Sequence, residues 1–229
     1  MQWYWLPEYL PRFLDGILIT LQLLSVSIVI GMLFAIPIGL VQVTGPRWLG
    51  FLARGFCTVI RGTPLLIQLW LLYYGLGSLF PLVPGIRESF MWPILRDAFP
   101  YAVLAFSLSV AGYEGEVMRG AFKSVPKGEL EAARAFGMSR FTVLRRIWLP
   151  RAFQNVLPTL AGEFVLTLKA TPLAATITVF DVYGVGSIVR QETYRVYEPL
   201  LFVAGIYVLL TACIVLLFRW LENRVPRPV

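Results

Sequence analysis

The sequence predicts an all-α integral membrane protein with five transmembrane helices. Composition carries the first part of that prediction: 58% of the 229 residues are hydrophobic and 14% are charged, against roughly a quarter charged in a soluble domain. The mean hydropathy of +0.72 agrees. Arrangement carries the second part. The apolar runs are long and continuous, without the alternation a membrane β-barrel requires. Lipid offers backbone groups no outside hydrogen-bond partner, so such runs must be helices. At roughly 20 residues per crossing, the chain accommodates about five or six spans in one domain, 1–229.

Taken in order, the segment from Gly16 to Pro46 carries no charge and supplies span one, at about 16–44. Pro37 and Gly39 lie inside it, as such residues commonly do in membrane helices, and Gly45-Pro46-Arg47 signals a turn. A second charge-free stretch, Gly62 to Ile86, gives span two at about 57–80, with the turn-rich Pro81–Gly85 outside it. Asp97 and Pro100 introduce span three, 99–121, the least hydrophobic because it carries Ser107, Ser109, Gly112, Glu114 and Glu116. Span four, 156–180, is interrupted by Glu163 and Lys169, and span five, 199–218, ends at Arg219. Trp3, Tyr4, Trp5 and Trp48 suit interfacial anchoring. The first run is too long, and its acidic flank wrong, for a cleavable signal.

Charge then sets orientation. With the N-terminus outside, Arg47, Arg54, Arg61, Arg119, Lys123, Lys127, Arg134, Arg140, Arg145, Arg146, Arg151, Arg219, Arg224 and Arg227 fall on the cytoplasmic side. Only Arg12, Arg87, Arg96, Arg190 and Arg195 fall outside. This bias predicts an N-out, C-in topology. It also assigns the net charge of +7 to loops beside membrane lipid rather than to a nucleic-acid surface. Cys57 and Cys213 both lie in apolar segments and read as small hydrophobes. The sequence has no histidine, which argues against a zinc or di-iron centre, and no nucleophile–base pair suggests an enzyme.

The longest polar segment, 122–155, reads as two short helices. Ser124 and Pro126 suit the start of the first, and Glu129 and Glu131 favour its N-terminal end. Gly137 supplies a left-handed residue to end it. Ser139 caps the second helix, which Pro150 closes. Ala132, Ala133 and Ala135, flanked by Leu130 and Phe136, suit either docking into a partner's groove or lying on lipid headgroups.

The spacing Glu131-Ala132-Ala133, three residues, Gly137, nine residues, Ile147, one residue, Leu149-Pro150 resembles the EAA signature loop of permease subunits in binding-protein-dependent ABC importers. Arg61-Gly-Thr-Pro64, Tyr73-Tyr74-Gly75, Glu116-Val-Met-Arg119-Gly120 and Leu168-Lys-Ala-Thr171 resemble the subgroup that takes up polar amino acids, and the similarity covers nearly the whole chain. The resemblance implies the type I ABC importer permease (MetI-like) fold in a bacterial inner membrane. It further implies pairing with a second, identical or different, permease and solute delivery by an extracytoplasmic binding protein. Glu131, Ala132, Ala133, Gly137, Ile147, Leu149 and Pro150 would then couple to an ATP-binding cassette ATPase. The chain has no G-x-x-x-x-G-K-[ST] phosphate loop, so ATP and magnesium belong to that separate subunit and this chain carries no cofactor. A self-contained channel or secondary carrier for small polar solutes is the alternative.

Ionisable groups inside a membrane default to functional candidates. Glu116 matches an acid of the family and either faces the solute path or pairs with Arg119 one turn on. Glu114 is an addition to the family pattern. Glu163 and Lys169, six apart, suit partners on other spans. Ala170 stands where many relatives carry an acid, and Pro172, where they carry serine, suits a local break. That departure leaves open a non-identical second permease holding the main site. Glu116, Glu114, Lys169 and Thr171 are the candidate substrate-path residues, for amino acids or derivatives such as opines.

Overall fold

The computed structural model describes residues 3–224; Arg227, grouped above with the cytoplasmic charges, lies outside them. Helix α1 runs Leu6–Thr44, about 58 Å at 1.5 Å per residue, and so begins well before Gly16. The charges that bounded the apolar run do not end the helix. Glu8, Arg12 and Asp15 sit on its exposed face while Tyr9, Phe13 and Gly16 turn inward.

The expected second span is two helices, α2 (Arg47–Gly62) and α3 (Leu65–Leu82). Proline disfavours the helical conformation at the residue before it, and Thr63 is extended at φ −109°, ψ 137°. The Gln68 side-chain amide covers the interruption, donating to Ile60 O at 2.8 Å, Thr63 Oγ1 at 2.7 Å and Thr63 O at 3.1 Å. Within α3 the Leu71–Leu76 stretch widens into a π-helix.

A short helix, α4 (Trp92–Leu95), precedes α5 (Ala98–Ser124). Asp97 caps α5 by accepting from Phe99 N at 2.8 Å. The chain then forms α6 (Lys127–Ala135), the long α7 (Arg140–Ile177), α8 (Val182–Thr193) and α9 (Tyr197–Arg224). Among the described residues there is no strand. By length and apolarity α1, α3, α7 and α9 can each cross a membrane.

Helix α5 is less apolar because it is central: 14 of its 27 residues are buried, against α1, α2, α3 and α7. Lipid attracts no apolar surface more than another helix does, so membrane helices associate through close backbone approach and small residues. Here Ser27, Gly31, Ala35 and Gly39 recur every fourth position along the buried face of α1. A Cβ at Gly31 would collide with Val110, and one at Gly39 would lie 2.8 Å from Met118 Cβ and from Arg119 N. From the other side, a Cβ at Gly115 would sit 2.7 Å from Ile38 Cγ2.

Two aspects of the reading above need correction. Pro150 does not close a helix; α7 continues through it to Ile177. The Leu144–Trp148 segment is a π-turn in which Leu149 N–H reaches back to Leu144 O, and this widening relieves the clash a proline ring makes with the preceding turn. Trp5 is not an interfacial anchor. It is 2% exposed and packs edge-on to Phe202 and beside Phe13 and Tyr9, where α1 meets α8 and α9. Trp3, Tyr4 and Trp48 are exposed.

Replacing Gly39 with leucine should destabilise the chain by about 1–3 kcal/mol through overpacking, read as a lower thermal-unfolding midpoint in detergent. Gly120→Ala, where a Cβ meets nothing within 4 Å, should not lower it. Equal midpoints would remove the small-residue contact from the account of the fold.

Candidate functional site

The loop between α5 and α7 is a built structure. Helix α6 starts after Pro126 without a side-chain cap; Ser124 instead belongs to the end of α5, its hydroxyl donating to Ala121 O at 2.8 Å. At its other end the helix closes on Gly137 at φ +78°. Met138 N–H donates to Ala133 O at 3.2 Å and Gly137 N–H to Arg134 O at 2.9 Å, the paired bonds of a Schellman motif. Ser139 then caps α7 by accepting from Thr142 N at 3.2 Å.

Two contacts fasten α6 to the long helices, and a third joins those helices to each other. Leu130 and Ala133 are buried with Phe122, Val143 and Ala152. Arg151 Nε meets Glu129 Oε2 at 3.1 Å. Trp148 Nε1–H donates to Phe122 O at 2.8 Å, tying α7 to α5 behind the loop. The outward face carries Glu131, Ala132 and Ala135, all exposed, and Phe136, 88% exposed. Between α6 and α7 opens a recess of about 580 Å³ lined by Ala132, Ala133, Phe136, Ile147, Pro150 and neighbouring side chains including Arg146. Of the predicted coupling residues, Ala132, Ala133, Ile147 and Pro150 line it, while Glu131, Gly137 and Leu149 do not.

A second cavity, of about 190 Å³, lies where the α2–α3 interruption meets α5 and α7. Thr63 and Leu65 line it from the break, Ser109, Tyr113 and Glu114 from α5, and Glu163 and Thr167 from α7. Glu114 is 2% exposed and its Oε2 has no hydrogen-bond partner. The Arg61 guanidinium stacks 5.6 Å from the centre of the Tyr113 ring.

The predicted substrate-path residues therefore separate. Glu114 lines the cavity. Glu116 accepts from Arg119 Nε and Nη2 at 2.8 and 2.7 Å, so its charge is matched within α5. Lys169 is exposed, and among the described residues it forms no ion pair. Thr171 is fully buried in a polar knot elsewhere. There Tyr207 Oη donates to Asp181 Oδ2 at 2.7 Å and lies 3.0 Å from Thr171 Oγ1. Asp181 Oδ1 accepts from Gly184 N at 2.9 Å, and Thr20 Oγ1 accepts from Val182 N at 3.1 Å. The sequence reading overlooked this knot and the helix α8 that Asp181 caps. An aspartate followed by Val182-Tyr183-Gly184 was the available cap signal.

A family model of the binding-protein-dependent transport system inner membrane component matches residues 12–227. The chain belongs to that family. Relatives within it include an octopine transport system permease of Rhizobium radiobacter, 40% identical over 91% of this chain and 84% of its own length. A nopaline transport system permease of Agrobacterium fabrum is 36% identical over 94% of this chain and 90% of its own. The histidine/lysine/arginine/ornithine transport system permease of Escherichia coli is 36% identical over 91% and 87%. A crystal structure of an amino acid ABC transporter with histidines superposes with a TM-score of 0.81 at 30% identity, covering 98% of this chain and 99% of that one. The inward-facing MetNI methionine transporter, at 17% identity and a TM-score of 0.76 over 93% and 96%, shares the fold. The chain thus has the type I permease fold of ABC importers and is a multi-pass membrane protein of that family.

Because a left-handed backbone costs a β-branched residue about 1–2 kcal/mol, Gly137→Val should loosen the end of α6. Trypsin cleavage at Arg134 and Arg140 in detergent-solubilised protein should accelerate several-fold. An unchanged cleavage rate would mean that Gly137 does not hold the loop.

Proposed function

We propose that this chain is the membrane-spanning permease subunit of an ATP-driven importer of amino acids or related polar solutes such as opines. The observation that carries this reading is α6: a short helix braced against two long ones, with an alanine face and a bare phenylalanine pointing away from the chain. Burying Phe136 in a partner would contribute about 1.5–3 kcal/mol, a large share of a helix-in-groove contact. The partner in this reading is an ATP-binding cassette ATPase that binds ATP and magnesium itself. Glu131, Ala132 and Phe136 present the contact; Ala133, Gly137, Ile147, Leu149 and Pro150 shape and support it.

The same reading puts α6 in the cytoplasm and the N-terminus outside, as the distribution of arginines favours, in a bacterial inner membrane. A second permease, identical or not, completes the pathway, and an extracytoplasmic binding protein delivers solute. Support for the solute class comes from the permeases for octopine, nopaline and basic amino acids that resemble the chain over most of its length. ATP-driven closure of the ATPases would pull on α6, and the Trp148–Phe122 and Arg151–Glu129 contacts would carry the pull into α5 and α7 together.

Phe136→Asp and Glu131→Arg should each abolish co-purification of the ATPase while leaving the protein in the membrane fraction. Intact complexes with normal ATP-dependent uptake would sink the docking assignment, and a cysteine placed at Gly128 that reacts only from outside would sink the orientation.

A further inference from the structure

We infer that the exposed face of α2 is a binding surface for an anionic phospholipid, with Arg47 and Arg54 on its phosphate and Trp48, Leu52 and Val59 along its chains. The inference goes beyond the importer reading and holds whichever solute is carried. Helix α2 presents two faces with a basic row between them. Gly50 and Cys57 are buried, and on this side Cys57 meets Gly115 of α5 while Ile60 meets Gly112. Trp48, Leu52, Gly55 and Val59 recur at three- and four-residue intervals, which sets them on one stripe of a helix. The three large side chains among them are each more than half exposed, and so is Phe51 beside them. Arg47, Arg54 and Arg61 are spaced by seven, so they form one row that drifts by about 20° per step.

Arg61 is taken up by the Tyr113 ring. Arg47 and Arg54 are exposed, and among the described residues neither forms an ion pair. From Gly16 to Arg87 the chain has no aspartate or glutamate. On α5, Glu116 is held by Arg119 and Glu114 lines the cavity. Arg54 Nη1 lies 3.7 Å from where a Cβ on Gly50 would stand, so this side chain folds back one turn towards Arg47. A membrane arginine reaches for the headgroups in this way. Two guanidinium-bearing side chains brought together without an acid suit an acceptor with several charged oxygens, which a phosphodiester supplies.

Depth selects a lipid over other anions. Gly112 lies near the middle of α5 (Ala98–Ser124), so Ile60 and Val59 stand at mid-span. Arg47 is about 20 Å further along the helix axis, towards the end of α5. A surface that is basic at that end and apolar to mid-span repeats the layout of a lipid, charged head above and chains below. A water-soluble anion would leave Trp48, Leu52 and Val59 bare. In the orientation proposed above this is the cytoplasmic leaflet, whose surface is anionic.

The test uses the assembled complex in phosphatidylethanolamine liposomes. The probes are phosphatidylglycerol and phosphatidylethanolamine with brominated chains, which quench tryptophan on contact. The Trp48 signal is the difference between wild type and Trp48→Phe. Brominated phosphatidylglycerol should quench it at a mole fraction at least about tenfold lower than brominated phosphatidylethanolamine. Arg47→Gln/Arg54→Gln should bring that ratio close to one, since each basic side chain at an anionic surface is worth about fivefold. Arg219→Gln/Arg224→Gln, which removes the same charge from α9, should leave it unchanged. Equal quenching by the two lipids, a preference that survives in the α2 variant, or one lost equally in the α9 variant overturns the inference. A Trp48 shielded from both lipids means that a protein subunit covers the face, and overturns it too. Should the α2 variant fail to assemble, photoactivatable phosphatidylglycerol on the wild-type complex decides. Cross-links to α2 that phosphatidylglycerol displaces and glycerol phosphate does not support the surface; their absence, or displacement by glycerol phosphate, overturns it. Uptake enters none of these readouts, so failure of the importer reading would leave the result standing.

Discussion

The close approach of α1 to α5 is the contact on which the rest of the structure depends. In a soluble protein, water would press these helices together whatever their side chains. In lipid the contact must come from shape, and the shape comes from Ser27, Gly31, Ala35 and Gly39 meeting the face around Val110, Gly115 and Met118. With α1 laid against it, α5 becomes a central post. Helices α2, α3 and α7 then pack round the remaining sides, and both the acid-lined cavity and the base of α6 are built on α5. A larger residue at any of these small positions would move the post and everything hung on it.

The second constraint is that polar groups inside this bundle must find one another. Most do. The break at Thr63 is covered by Gln68, and the knot of Tyr207, Asp181, Thr171 and Thr20 joins the four segments that meet where α7 ends. Glu114 is among the exceptions, with Trp5, Ser27, Ser107 and the side-chain carbonyl oxygens of Gln42 and Gln68. Its side chain lines the cavity, while the unpartnered Oε2 itself is enclosed.

Much of this was legible in the sequence. The long charge-free runs locate long apolar helices, and the spacing from Glu131 to Pro150 locates α6, with Gly137 taking the left-handed conformation that a helix end needs. What escaped reading has physical causes. Charge marks where an apolar run stops but not where a helix stops, so α1 begins earlier than its hydropathy does. Thr63-Pro64 is as visible a breaker as Pro150, yet Thr63 ends a helix and Pro150 does not; the difference lies in a π-turn that hydropathy cannot register. Glu114 and Glu116 were both candidates, and only the register of α5 against its neighbours decides which faces the cavity. Thr171 lies in the stretch resembling the family's fourth span, but its hydroxyl is committed to the knot by Tyr207 and Asp181, from parts of the chain remote in sequence.

The covered break between α2 and α3 has a mechanical consequence. An ordinary kink leaves bare carbonyls that lipid cannot satisfy, so bending it further is opposed at every step. Here the Gln68 amide, carried on α3, reaches back across the gap to the Ile60 and Thr63 oxygens at the end of α2, like an insulated elbow. These bonds tie the two rods together across Pro64. Because Thr63 and Leu65 form one wall of the acid-lined cavity, flexing that elbow is the same event as squeezing or widening the chamber.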